Sequence, residues 1–316
     1  MSTQTTTDVP KEIGDDGEFE RQESAFRRWV RADGSSEFPA APDRYHLYVS
    51  LACPWASRTV IFRRLKGLEN VVGMSVVDPI RDERGWAFTG EAGSDLDPLN
   101  GFDFLAEAYR ATDPGFDDRV TVPVLWDKET DQIVNNESSE IIRMLNSEFD
   151  EWGDDSQDFH PEELRAEIDA VNNVVYDNVN DGVYKAGFAT SQAAYERAFE
   201  RLFSTLDDLE EHLRTRRYLL GDRLTEADWR LFTTLIRFDA VYHGHFKCNL
   251  RRLVDYPALW AYTRDLYQHR HPLVAETVDF DHIKRHYYLT HESLNPNRIV
   301  PLGPDLDPME PHARGI

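Results

Sequence analysis

Tyr45-His46-Leu47-Tyr48-Val49-Ser50-Leu51-Ala52-Cys53-Pro54-Trp55-Ala56-Ser57-Arg58 changes its period within a few residues. Tyr45 to Val49 is an apolar run of strand type, and residues 55–65 form a helix-favouring stretch. Pro54 takes the first helical position, where its missing N–H costs nothing. Val60, Ile61 and Leu65 share one face of this helix, with Arg58, Arg63 and Arg64 mostly elsewhere. A second apolar run over 71–77 completes a strand–helix–strand unit, which predicts parallel pairing through a right-handed crossover. Cys53 therefore stands where unpaired backbone N–H groups and the positive end of the helix dipole favour a thiolate. The alternative is an inert buried thiol, since free cysteine is among the most buried residue types.

Outward from this unit, residues 78–118 read as an acidic insertion containing Gly85-Trp86, Gly90 and Pro98. Residues 120–126 read as a strand interrupted by Pro123, which belongs at an edge or a special turn because it cannot donate to a ladder. Gln132-Ile133-Val134 can pair back through the turn at 127–131, and a helix over 137–149 opens with acidic and hydroxyl residues. That makes βαβ followed by ββα, an α/β domain over 40–150 behind an acidic N-terminal extension, 1–39. Residues 1 to about 20 of that extension read as a disordered acidic tail. After an acidic linker at 152–159 the chain is helical over 161–180, 192–214, 225–242 and 257–269, which defines an all-helical domain, 160–288. Thr225-Glu226-Ala227-Asp228 is a variant capping box, and Gly221 and Gly244 are candidate helix C-caps. Residues 289–316, rich in Pro and Gly, read as an irregular tail that wraps or protrudes.

The 316 residues suffice for two modest domains, and 41% hydrophobic content is enough for real cores. Two cysteines argue against a disulfide framework and for a reducing compartment. The polar, acidic start has no apolar core of a signal peptide, and no stretch approaches the roughly 18 apolar residues of a membrane helix. A soluble, cytoplasmic protein is expected. The net charge of −23 argues against nucleic-acid and anionic-membrane partners. Only six of the 35 basic residues are lysines. The acid excess suits concentrated salt, where the Debye length shrinks to about 3 Å near 1 M. An acidic surface without salt dependence is the alternative.

Several longer stretches carry a family resemblance. They are Arg44 to Ser50 with Cys53-Pro54-Trp55-Ala56, then Gly182-Val183-Tyr184-Lys185-Ala186-Gly187-Phe188-Ala189. A third is Asp239-Ala240-Val241-Tyr242-His243-Gly244-His245-Phe246-Lys247-Cys248-Asn249. The last is Ile283-Lys284-Arg285-His286-Tyr287-Tyr288, with Asn295-Pro296 and Ile299-Val300-Pro301 beyond. Together they resemble the glutathionyl-hydroquinone reductases, the xi class of the glutathione transferase superfamily. The resemblance covers about residues 20–304 and departs at Ser57, where the family's motif usually continues with His. It implies an α/β plus all-α architecture: an N-terminal thioredoxin-like domain, then an all-helical glutathione-transferase domain. It also implies a homodimer, involving the helical domain.

The residues themselves support monothiol chemistry. Ala56 occupies the place of a resolving cysteine, and Cys248 lies in the other expected domain, so an external thiol must resolve any Cys53 mixed disulfide. Glutathione, or γ-glutamylcysteine, fits that need. The resemblance implies that Cys53 removes the glutathionyl group from a glutathionyl-hydroquinone, with Tyr184 and Tyr287 (rather than Tyr288) serving the aromatic leaving group. A phenol can both donate and accept while its ring packs on an aromatic substrate.

For the thiol ligand, Val122 can offer backbone groups if Pro123 is cis. Glu137 and Ser138 at a helix start can hold the γ-glutamyl ammonium and carboxylate, Trp86 joins them by resemblance, and Arg119 is a candidate anion partner. Metal ligation by His243, His245 and Cys248, or by His282 and His286, lacks a fourth ligand at zinc spacing or the Glu of a zincin motif, so no metal is expected. No phosphate-binding glycine loop is present, which argues against nucleotide cofactors. Two alternatives stay open. One is an omega-like or glutaredoxin-like thiol transferase acting on dehydroascorbate or protein mixed disulfides; the other is a non-enzymatic binding module on the same fold.

Overall fold

The structure is a computed structural model that describes residues 12–91 and 93–315. The chain divides into two compact units that interleave along the sequence. The first comprises Gln22–Asp158 with Thr277–Thr290; the second comprises residues 12–21, Phe159–Glu276 and residues 291–315. No helix among the described residues is long and apolar enough to cross a membrane.

The first unit begins with a short parallel pair, β1 (Val30–Arg31) and β2 (Phe38–Pro39). Its main sheet follows the expected order of elements: β3 (Tyr45–Val49), α1 (Pro54–Leu65), β4 (Gly73–Val76), β5 (Val124–Asp127) and β6 (Gln132–Asn135). Spatial order is β4-β3-β5-β6, with β3 parallel to β4 and antiparallel to β5. All five residues of β3 are buried, as befits a central strand covered on both faces. Arg44 and Asp127 fix its register on β5 through a two-bond ion pair of 2.8 and 2.7 Å. β5 starts only after Pro123, so the proline precedes the ladder and removes no bond from it. α3 (Ser138–Ser147) packs on α1.

The insertion 78–118 holds a helix that the sequence reading lacks, α2 (Leu105–Thr112). Glu107 accepts from the backbone N–H groups of Asp103 and Phe104, both at 2.9 Å, and so starts it.

The second unit is helical: α4 (Arg165–Val175), a π-helical turn at Tyr176–Asn180, α5 (Gly182–Gly187), α6 (Gln192–Leu213), α7 (Glu226–Leu235), a second π turn at Phe238–Tyr242, and α8 (Pro257–Tyr267). The capping box at Thr225 forms, and its Asp228 is fully buried. Burial pushes that carboxyl up, opposed by hydrogen bonds from Leu219, Thr225 and Tyr262.

Three boundaries differ from the sequence reading. Gly221 and Gly244 cap no helix: α6 closes at Arg214, and Gly221 instead forms a turn with Tyr218 at φ +88°. Residues 12–20 are not a disordered tail but close on themselves within the second unit, where the Phe19 ring is 1% exposed because it packs on Phe188 and Tyr184; residues 1–11 lie outside the described residues. Finally α9 (Phe280–Thr290) belongs to the first unit, not to the helical one. His282 and His286, one turn apart, anchor it to Ser50 and to Pro79. The stretch 291–315 has no helix or strand and wraps: buried Arg314 donates to the carbonyls of Leu213, Ala258 and Arg217.

Candidate active site

Cys53 occupies the N-cap position of α1 in extended conformation (φ −73°, ψ 120°), with Pro54 inside the first turn. Its N–H donates to Ser50 O at 3.2 Å, and its carbonyl receives Ser57 N–H at 2.9 Å, so the backbone locks the residue at the helix entrance. The side chain is partly exposed, and its Sγ lies 3.5 Å from the Val122 carbonyl. The Val122–Pro123 peptide is cis, as the sequence reading requires. Ser57 is 1% exposed, and its hydroxyl has no hydrogen-bond partner among the described residues.

Glu137 stands at the N-cap of α3, and its carboxylate accepts from Ser139 N–H (2.9 Å), the Ser139 hydroxyl (2.8 Å) and the Ser24 hydroxyl (3.0 Å). Burial would push this carboxyl up, but those bonds and the nearby Arg58 charge outweigh it and hold it below its ordinary value. Buried Ser138 receives a bond from Arg58 Nη1 at 3.2 Å. The sequence reading put Arg58 off the apolar face of α1; in the fold it is 1% exposed, because its guanidinium reaches from α1 to the start of α3. Arg58 thus reaches the candidate site through Ser138, a placement that hydropathy conceals. Arg63, also placed off that face, is buried as well, its Nε donating to Val72 O.

Arg119 is held by its backbone: its N–H donates to Gln22 Oε1 at 3.1 Å, and its carbonyl accepts from Gln22 Nε2 at 3.4 Å. Buried Trp86 stacks on His286 with ring centroids 5.0 Å apart, while the Arg81 guanidinium lies 5.6 Å from the indole. His286 Nδ1–H donates to Pro79 O at 2.7 Å, which fixes its tautomer. Burial, then the Arg81 charge, lowers His286 to about 3; burial lowers His282 to about 4. His282 Nε2 meets the Ser50 hydroxyl at 3.3 Å, and that hydroxyl also receives Ala52 N–H. The helix α9 is therefore hydrogen-bonded to the very turn that presents Cys53.

Cys53, Trp86, Arg119, Val122, Glu137, Ser138 and Tyr287 all lie in the first unit. Tyr287 is 1% exposed, whereas Tyr288 is partly exposed. Tyr184 belongs to the second unit, in α5, 9% exposed. Direct contacts join Cys53 to Val122, Arg58 to Ser138, and Trp86 to His286 beside Tyr287.

The residues weighed as metal ligands have other partners: His245 Nε2 faces His291 Nδ1 at 3.1 Å, and Cys248 is buried near the Val183 and Phe246 carbonyls. Among the described residues, His160, Asp169 and Glu226 bring ligand-type atoms within 4.8 Å of one another. The buried Glu226 carboxylate there already receives Asn172 Nδ2 at 2.8 Å and faces Arg230 at 3.8 Å.

Family models for the N-terminal and C-terminal domains of glutathione S-transferase match residues 52–148 and 192–265. Glutathionyl-hydroquinone reductase YqjG of Escherichia coli (strain K12) is 52% identical over 95% of this chain and 93% of its own length. Its glutathione-bound structure aligns with a TM-score of 0.89, covering 92% of this chain and 96% of that one. Glutathionyl-hydroquinone reductase PcpF of Sphingobium chlorophenolicum is 53% identical over 91% of this chain and 90% of its own. The crystal structure of the glutathione-S-transferase Xi from Phanerochaete chrysosporium shares 51% identity at a TM-score of 0.88, covering 91% of this chain and 98% of that one. The fold, the cysteine at the entrance of α1 and these matches agree, and the chain belongs to the glutathionyl-hydroquinone reductases, the xi class of the glutathione transferase superfamily.

Proposed function

We propose that this enzyme removes the glutathionyl group from glutathionyl-hydroquinones through a Cys53 mixed disulfide. The Cys53 thiolate attacks the glutathionyl sulfur, a sulfur–sulfur bond forms, and the aryl carbon–sulfur bond breaks. The aryl carbon keeps the electron pair and takes a proton, giving the free hydroquinone. A second glutathione thiolate then attacks the mixed disulfide, releasing glutathione disulfide and restoring Cys53. The observation that carries this reading is the partly exposed Cys53 at a helix entrance with alanine, not cysteine, at position 56. An enzyme so built must borrow its second sulfur.

Val122 offers backbone groups to the cysteinyl part of the thiol; Glu137 and Ser138 take its γ-glutamyl ammonium and carboxylate, the latter at the helix N-terminus. Trp86 and Arg119 border the same ligand, while Tyr184 and Tyr287 serve the aromatic half, one of them supplying the proton. The groups that bind the γ-glutamyl end do not distinguish glutathione from γ-glutamylcysteine, so either thiol serves. The deciding test is turnover of a glutathionyl-hydroquinone by wild type and Cys53→Ala, with mass spectrometry of the protein after a single turnover. A glutathionyl adduct on Cys53 and loss of turnover in the variant are expected. Retained turnover in Cys53→Ala, or faster reduction of dehydroascorbate than of the hydroquinone conjugate by wild type, overturns the reading.

The reading extends to a cytoplasmic protein adapted to concentrated salt, supported by the net charge of −23 and by two unpaired cysteines, and to the homodimer that family membership implies. Melting temperature is expected to rise with KCl; full stability in dilute buffer overturns the salt adaptation, and a monomer mass in light scattering overturns the dimer.

A further inference from the structure

Residues 12–21 form a strap within the second unit. Gly14 N–H donates to Glu18 O at 2.9 Å and Glu20 N–H to Glu12 O at 2.7 Å, closing the segment on itself. Gly17 sits at its tip with φ +84°, and a Cβ there would come within 2.9 Å of Ser191 N, so the close approach needs glycine. The tip is fastened by Thr190 N–H to Gly17 O (3.0 Å), by the Ser191 hydroxyl to Asp16 O (2.7 Å), and by Arg197 to Asp16 and Glu18. A tip tied at so many points fixes the position of the residues just beyond it. Phe19 packs on Phe188 at 5.6 Å and on Tyr184 at 6.4 Å. Arg21 then lays its guanidinium 4.7 Å from the centre of the Tyr184 ring and 5.0 Å from that of Phe19, with Nε donating to Asp181 Oδ1 at 2.6 Å.

A cation within about 6 Å of an aromatic face is attracted to the ring, and a nearby positive charge favours the phenolate over the phenol. We propose that Arg21, carried by this strap, is a positioning residue for the reaction: it holds the Tyr184 ring and makes its phenol a better proton donor. This inference rests on the role given to Tyr184 above. Asp181 anchors the guanidinium through Nε while its central carbon lies over the ring, and Asp181 is itself shared with Lys185 Nζ at 3.8 Å. Burial works against the charge on Arg21, but Asp181 and the Tyr184 and Tyr176 phenols outweigh it and hold the arginine firmly protonated. Among the described contacts, the titratable and charged groups that face Tyr184 are Arg21 from the strap and Tyr242 from the second π turn, with Asp181 and Tyr176 acting on Arg21 and Lys185 on Asp181.

The test reads the phenol directly, in enzyme carrying 13C-labelled tyrosine, with the Tyr184 signal assigned by its absence in Tyr184→Phe. Arg21→Met is expected to raise the midpoint of the Tyr184 titration by about one pH unit or more. It should also lower kcat about tenfold, with the KM for glutathione and the iodoacetamide labelling rate of Cys53 unchanged. Arg21→Lys, which keeps the charge, should restore most of both. Asp181→Asn, which keeps the guanidinium and removes the opposing charge, should move the midpoint down; it also serves if Arg21→Met does not fold. An unmoved Tyr184 titration in folded Arg21→Met, or in Asp181→Asn where that is the folded variant, overturns the inference while leaving the reaction scheme intact. Full turnover in Tyr184→Phe removes the role of Tyr184, and this inference with it.

Discussion

Around Cys53 the chain leaves a sulfur at the mouth of a helix, partly exposed and within 3.5 Å of a backbone carbonyl beside a cis proline. Around Cys248 it does the reverse. That sulfur is fully buried, 3.8 and 3.9 Å from the carbonyls of Phe246 and Val183, and burial pushes its thiol up despite the neighbouring Lys247. The two side chains are chemically identical, so the contrast isolates what the address contributes. A helix entrance with solvent access makes a reagent; an apolar enclosure makes a small packing group.

The strongest way to break this comparison is to exchange the two roles. Cys53→Ala should lower turnover by about 10³-fold or more, the scale on which nucleophile deletions act; steady-state kinetics with a glutathionyl-hydroquinone would read it. Next in size, Tyr184→Phe should cost about 10²-fold in kcat, as expected for loss of a proton donor, while alkylation of Cys53 keeps its wild-type rate. Glu137→Gln removes charge from the proposed partner of the γ-glutamyl ammonium and should raise the KM for glutathione about tenfold, or roughly 1.4 kcal/mol.

The first unit can also be loosened by acid. His46, His282 and His286 are neutral in the fold, lowered by burial to about 4, 4 and 3. An unfolded chain protonates them near 6.5, so their contribution is complete above that pH and declines as pH falls toward their folded values. The loss approaches about 1.4 kcal/mol per pH unit for each histidine. Urea midpoints at pH 7 and pH 5 would measure it, and His282→Gln should reduce the difference. Smallest of all, Cys248→Ala should change turnover by less than about twofold and cost only about 1–2 kcal/mol of stability. Iodoacetamide that labels both cysteines equally in native protein would erase the distinction altogether.

What could be read from the sequence was whatever had a local signature. The strand–turn–helix at Tyr45 to Leu65 announces itself by a change of period with a proline at the joint, and the start of α3 by an acid before two serines. The cis peptide at Pro123 followed from what a ligand at Val122 would need. Other features depended on partners far along the chain. Arg58 looks like a solvated cation until Ser138 comes to meet it. Phe19 and Arg21 are single residues in an acidic run with no repeating pattern, and their partners Asp181, Tyr184 and Phe188 lie far along the chain. The eight residues of α2 carry a stripe of Leu105, Ala106, Ala108 and Tyr109, but it lasts only two turns inside an acidic stretch whose glycines and prolines read as a loop. Tyr287 was expected from the helical half, but the histidines beside it tie its helix to the α/β unit instead.

That tie has a consequence for how the molecule comes into being. The turn that presents Cys53 is completed by His282, which the ribosome makes only after the whole of the intervening helical stretch. At about 5–20 residues per second, the delay between Asp158 and α9 is on the order of ten seconds. During that interval the newborn α/β segment carries Cys53 without the helix that braces its turn. The chain thus completes the turn at Cys53 late, after most of its sequence has already been made.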